Sequence, residues 1–130
     1  MIIGTGIDIV SVGRITHLID RYGRRFLAKV FTQHEIDAGL ALAGTARDRF
    51  FAARFAAREA FFKALGTGWG RGISLRDVSV EREPSGRPVI VLSGPAIEAA
   101  ASRGVVTMHL SLAHEGSLAQ AIVILEGGHQ

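Results

Sequence analysis

Glu59 and Lys63 are the pair in this chain best placed to do chemistry together. They stand four residues apart in Arg54-Phe55-Ala56-Ala57-Arg58-Glu59-Ala60-Phe61-Phe62-Lys63-Ala64-Leu65-Gly66-Thr67-Gly68, a segment that reads as a helix. That spacing puts both on one helix face. Most of the segment is apolar all round, and a helix of that composition expects burial. A carboxylate and an ammonium are costly to bury without partners. An acid and a base on one edge of a buried helix suit a metal ion and a phosphate. The ordinary alternative is a helical Glu–Lys salt bridge, worth roughly 0.2–0.5 kcal/mol. Spacing alone leaves both readings standing.

A second carboxylate strengthens the first reading. Asp8 and Glu59 are the acids set in strongly apolar elements. Two carboxylates from different elements, with positions left for water and phosphate oxygens, suit Mg²⁺. Lys63 could then neutralise a phosphate held beside that metal. Arg54 and Arg58, on the same helix, become candidate anion ligands next to such a site. Gly66-Thr67-Gly68-Trp69-Gly70-Arg71-Gly72 is a flexible loop whose backbone amides can meet an anion. His109 lies in an apolar strand and reads as a core or interface residue. His114 starts a turn, where an imidazole orders a loop or donates to a phosphate. No histidine pair has zinc-site spacing, and no nucleophile elbow, P-loop or dinucleotide fingerprint is present.

These residues need elements to position them. Residues 2–10 alternate as a strand, with Gly4, Gly6 and Asp8 on one face. Glycine in a strand marks close approach of a ligand or another backbone. A helix is predicted from Ser11 or Val12 to Arg21, then a short helical turn around Phe26 and Val30. Thr32-Gln33-His34-Glu35 is a capping box opening a helix over 33–43, ended near Gly44. The long helix runs from about Thr45 to Leu65, with Gly66 closing it. Residues 78–80 and 89–92 flank a turn and read as a hairpin. Pro95 opens a short helix to about Arg103. Residues 107–113 and 118–125 form a second hairpin. The fold class is α+β: a small antiparallel sheet packed against a long buried helix.

Bulk properties set the frame. With 130 residues, 48% of them apolar, the chain is read as one globular domain, 1–130. No apolar run reaches a membrane span, and the N-terminus lacks signal-peptide features. The absence of cysteine removes disulfide and thiolate chemistry and fits the cytoplasm. Net charge is only +3, but Arg14, Arg21, Arg24, Arg25 and Lys29 cluster against a single Asp20. Such a block reads either as a surface for an anionic partner or as an ordinary solvated helix face. A nucleic-acid module would use this block, yet it has no aromatic platform beyond Tyr22 and Phe26 and leaves Asp8 and Glu59 idle. A Mg²⁺-dependent phosphohydrolase would use the same carboxylates with water as acceptor.

At these motifs the chain resembles a known family. Gly4-Thr5-Gly6-Ile7-Asp8-Ile9-Val10 with Arg14-Ile15, the long-helix segment from Arg54 to Gly68, Thr32 with Glu35, and Ser111-Leu112-Ala113-His114 are similar to holo-[acyl-carrier-protein] synthases, the short bacterial 4′-phosphopantetheinyl transferases. Three departures are visible. Arg58 stands where lysine is usual, Ala113 replaces a hydroxyl residue, and Trp69 widens the glycine loop, where it could alter how coenzyme A fits.

The resemblance implies a 4′-phosphopantetheinyl transferase fold and a reaction. Coenzyme A gives its 4′-phosphopantetheine arm to a serine of apo acyl carrier protein, leaving adenosine 3′,5′-bisphosphate and holo carrier protein for fatty acid biosynthesis. It implies that Asp8 and Glu59 bind Mg²⁺ and that Lys63 steadies the phosphates. A base must take the serine proton, and Glu59, or a metal-bound water it orients, is the candidate. Arg54 and His114 fall near the 3′-phosphate, and Gly66, Thr67 and Gly68 near the nucleotide. It also implies a homotrimer with sites between subunits. Arg14, Arg21 and Arg25 are then expected to dock the acidic carrier protein, with no nucleic acid and no membrane as partner.

Overall fold

The computed structural model describes residues 1–70 and 72–128; Arg71, inside the glycine-rich loop, lies outside the described residues. In chain order the elements are β1 (Ile2–Ser11), α1 (Val12–Tyr22), α2 (Arg24–Val30), α3 (Gln33–Leu40), α4 (Gly44–Leu65), a 3₁₀ turn (Leu75–Asp77), β2 (Val78–Arg82), β3 (Pro88–Leu92), α5 (Pro95–Ser102), β4 (Val105–Glu115) and β5 (Leu118–Gly127). β1, β5 and β4 form a three-stranded sheet in that order, antiparallel throughout. β2 and β3 pair antiparallel as a separate two-stranded sheet. The two hairpins therefore do not merge.

The 22-residue α4 is the axis of the molecule. Ala52, Ala56, Ala57, Ala60 and Ala64 are buried along it, together with Phe51, Phe55, Phe61, Phe62 and Leu65. Fully burying one such phenylalanine stabilises the fold by roughly 1.5–3 kcal/mol. Against one side lies the inner face of the sheet, where Val10, Ala119, Ala121, Val123 and Leu125 are buried.

Gly4 and Gly6 let β1 reach that helix. A Cβ at Gly4 would collide with the carbonyl oxygen of Ala64, and one at Gly6 with that of Ala60. The glycine face expected to admit a ligand or a backbone thus admits a backbone. The strand consequently runs antiparallel to α4. Two residues past Gly6 on the same face, Asp8 is reached by the Lys63 side chain of α4.

Local signals behave as the residue types require. The Thr32–Glu35 capping box forms at the start of α3. Gly66 ends α4 in the left-handed region at φ 80°. Helix α3 stops at Leu40, short of the expected residue 43, and Gly44 at φ 59° starts α4 instead of ending α3. The strand expected over 107–113 extends to Val105–Glu115.

The outer face of the three-stranded sheet is apolar and open: Ile7 is 50% exposed, Ile9 58% and Ile122 40%. His109 is on this face and not in the core; its Nε2 lies 2.9 Å from the Glu126 carboxylate. Among the described residues no helix is long and apolar enough to cross a membrane.

The close strand–helix approach makes one expectation sharp. Gly6→Ala should cost ~3 kcal/mol or more, because the clash is with helix backbone that cannot rotate away. A urea unfolding midpoint equal to that of the unaltered chain would contradict this packing.

Candidate active site

Lys63 reaches back from the last turn of α4 to β1. Its Nζ donates to Asp8 Oδ1 at 3.0 Å and to the carbonyl of Ile7 at 2.9 Å. The partner of the ammonium is therefore Asp8, and the helical Glu59–Lys63 salt bridge is not made. Glu59, one turn before Lys63 and half-buried, makes no hydrogen bond or ion pair among the described residues. Asp8 and Lys63 thus meet where β1 crosses the second half of α4, the helix that carries Glu59 one turn earlier. The Asp8 side chain is only 15% exposed, while Lys63 is 55% exposed. An ammonium that open is easily drawn to an incoming phosphate. Asp8 and Glu59 could hold a cation. Among the described residues no group of three or more His, Cys, Asp or Glu side chains could do so. A pair of oxygen donors fits Mg²⁺, which takes its remaining ligands from water and phosphate.

Arg54 points elsewhere. Five helix residues separate it from Glu59, an angular offset of about 140°. It is buried, with its guanidinium stacked 3.6 Å from the centroid of Phe50. Its hydrogen bond to the Phe50 carbonyl is long at 3.5 Å, and its Nε is buried without a partner. Burial, and then the neighbouring Arg82, pulls its pKa down to about 10. Arg54, Arg49, Arg82 and His114 line one open cavity of about 280 Å³, which no acidic residue lines. Arg54 and His114 are thus brought together as expected, but apart from Asp8, Glu59 and Lys63. Arg49 and Arg82 are members that sequence reasoning missed; their convergence depends on β2 passing beside α4.

Arg58 is not an anion ligand. It is fully buried, and its guanidinium forks onto the Glu35 carboxylate, with Nη1 donating to Oε2 at 3.0 Å and Nη2 to Oε1. Its Nε donates to the Leu75 carbonyl at 2.9 Å. Glu35 also accepts from the amides of Thr32 at 2.9 Å and Val80 at 3.1 Å. Burial alone would raise the Glu35 carboxyl; the Arg58 guanidinium and these amides outweigh it and hold the carboxyl below its usual range.

After α4 the glycine loop begins with its amides engaged. Gly66 N–H donates to Phe62 and Lys63 carbonyls, and Thr67 N–H to Phe62, so neither amide is free for an anion in this arrangement. Trp69 lines a groove of about 460 Å³ with Arg14, Phe26 and Phe55. A second groove of about 410 Å³ adjoins it, sharing Leu18, Phe26 and Lys29 and adding Tyr22 and Arg25. Arg14 lies over the Phe55 ring at 5.4 Å, and Arg21 is stacked on Tyr22 at 5.5 Å.

A model of the 4′-phosphopantetheinyl transferase superfamily matches residues 4–123. The chain belongs to this superfamily of transferases. The holo-[acyl-carrier-protein] synthase of Syntrophus aciditrophicus is 46% identical over 127 residues, covering 98% of both chains. That of Koribacter versatilis is 48% identical over 126 residues, covering 97% of this chain and 99% of the other. A crystal structure of the holo-(acyl-carrier-protein) synthase from Bacillus anthracis, in complex with coenzyme A (3′,5′-ADP), matches with a TM-score of 0.82 at 34% identity. It covers 98% of this chain and 99% of that one.

This phosphopantetheinyl transferase thus has three exposed charged features near α4: Asp8 with Lys63 beside β1, a basic cavity at Arg54 and His114, and a basic, apolar-floored groove over α1 and α2. Lys63→Ala should cost no more than about 1 kcal/mol of stability, since the Asp8 pair is half open to water. A larger loss in a chemical denaturation curve would mean that the ammonium is structural.

Proposed function

We propose that this enzyme transfers the 4′-phosphopantetheine group of coenzyme A to a serine of an apo acyl carrier protein, with Mg²⁺, in fatty acid biosynthesis in the cytoplasm. The observation that carries the reading is the split of charge across α4. A coenzyme A molecule has a pyrophosphate needing a cation and an ammonium, and a 3′-phosphate needing a separate basic pocket. The acid-free cavity of Arg54 and His114 suits the second.

In the reaction, the serine Oγ attacks the pyrophosphate phosphorus that bears the pantetheine arm. The bond from that phosphorus to the bridging oxygen breaks, and adenosine 3′,5′-bisphosphate leaves. Asp8 and Glu59 would hold the Mg²⁺, which would supply charge neutralisation at the pyrophosphate. Lys63 swings from Asp8 to the leaving phosphate, where it steadies the charge that builds there. Glu59, whose carboxylate has no other partner among the described residues, takes the serine proton. Gly66, Thr67 and Gly68 flank the nucleotide. Phosphoryl transfer of this kind depends on positioning and charge neutralisation more than on covalent chemistry by the protein.

The carrier protein docks on α1 and α2. Arg14, Arg21 and Arg25 meet its acidic surface, and the floor of Leu18, Phe26 and Phe55 receives an apolar side chain. Trp69 walls this groove, which moves its expected effect from coenzyme A to the carrier. Because Asp8 and Arg54 lie on different sides of α4, one bound coenzyme A engages both only if neighbouring copies supply one side each. The exposed Ile7, Ile9 and Ile122 face suits the contact that assembles a homotrimer.

The test is a mass spectrum of apo carrier protein incubated with the chain, coenzyme A and Mg²⁺. The carrier should gain one phosphopantetheine, and Asp8→Ala or Glu59→Ala should abolish the gain. No mass gain sinks the reading, and bisphosphate release without carrier protein favours a hydrolase. Arg14→Glu with Arg25→Glu should raise the carrier KM at least tenfold and leave the coenzyme A KM alone; an unchanged carrier KM moves docking elsewhere.

A further inference from the structure

Helix α4 has no apolar stripe to set its rotation, because alanine and phenylalanine are buried on every side of it. Apolar contact is non-directional. A helix of side-chain radius about 5–6 Å that turned by some 20° would move its side-chain tips by about 2 Å. Misplacement by about 1 Å is enough to cost a hundredfold in a positioned reaction. Something directional must hold the roll.

The Glu35–Arg58 fork is directional and wholly buried, with side-chain exposures of 2% and 0%. Beyond joining α3 to α4, it reaches two further elements. Glu35 sits on α3 and accepts from the β2 amide of Val80. Arg58 leaves α4, reaches the Leu75 carbonyl of the 3₁₀ turn, and returns to the carbonyl of Arg54 at 3.3 Å. Phe31 caps the guanidinium with its ring centroid 4.9 Å away. Arg54 precedes Arg58 by one turn, and Glu59 follows it directly. A roll of α4 about this fork would move both at once.

We propose that Glu35 and Arg58 are a positioning pair for the reaction. They fix the axial rotation of α4, and so aim Glu59 and Lys63 at β1 and Arg54 into the basic cavity together. This rests on the transferase reading above. Neither residue touches a substrate. The pair supplies specificity of arrangement, a use buried ion pairs have in other folds, more than stability.

The experiment replaces the pair by apolar residues of similar size, Glu35→Leu with Arg58→Met, in the full chain. Buried ion pairs so replaced commonly leave stability equal or higher. The double variant should melt cooperatively at or above the wild-type temperature, yet bind adenosine 3′,5′-bisphosphate at least tenfold more weakly by calorimetry. Its kcat should fall by at least tenfold. A purely structural pair would leave bisphosphate affinity intact in a folded variant, and that result overturns the proposal. If the double variant does not fold, Glu35→Asp decides. The shorter carboxylate keeps the charge but cannot reach the Arg58 fork and the Thr32 and Val80 amides together, so a three- to tenfold loss of bisphosphate affinity is expected; wild-type affinity overturns the proposal. A wild-type chain that binds no bisphosphate sinks the transferase reading itself, which separates the two failures.

Discussion

The structure depends on how one helix without an amphipathic stripe is held in a single orientation. Two contacts do it. On one side, Gly4 and Gly6 bring β1 against the carbonyls of Ala64 and Ala60. On the other, Glu35 and Arg58 lock α4 to α3, β2 and the 3₁₀ turn. The first contact fixes distance and the second fixes rotation. Removing either partner of the buried pair leaves an uncompensated charge, which typically costs about 3–5 kcal/mol.

That orientation explains why the polar residues of an apolar helix do not compete. Each faces a different neighbour: Lys63 faces Asp8, Arg58 faces Glu35, and Arg54 faces a cavity where it has no strong partner. Burial, and then the neighbouring Arg82, lowers the pKa of Arg54, and an anion in that cavity would offset the burial.

Much of this was legible in the residues. The capping box at Thr32, the stop at Gly66, the hairpins and the alternation of β1 are local signals, and local structure follows them. Asp8 and Glu59 stood out because acids in apolar segments need a reason. Other features depend on distance in space. Lys63 pairs with a residue 55 positions away, beyond any helical spacing rule. Arg58 looks like any basic helix residue until β2 and α3 close over it. Arg49 and Arg82 join Arg54 only when the two-stranded sheet packs beside α4. Trp69, placed by sequence in a glycine loop, shares a groove with Arg14 of α1.

The central claim is that α4 carries two half-sites facing different ways, completed between copies of the chain. Mixing two inactive variants tests it most directly. Asp8→Ala lacks one half and Arg54→Ala the other; the two are unfolded together in equal amounts, refolded and assayed for phosphopantetheine transfer. Random assembly of neighbours should restore about one quarter of the wild-type sites, since each needs one intact half from each partner. Activity no higher than that of the separately refolded variants would place both halves in one chain and contradict the account.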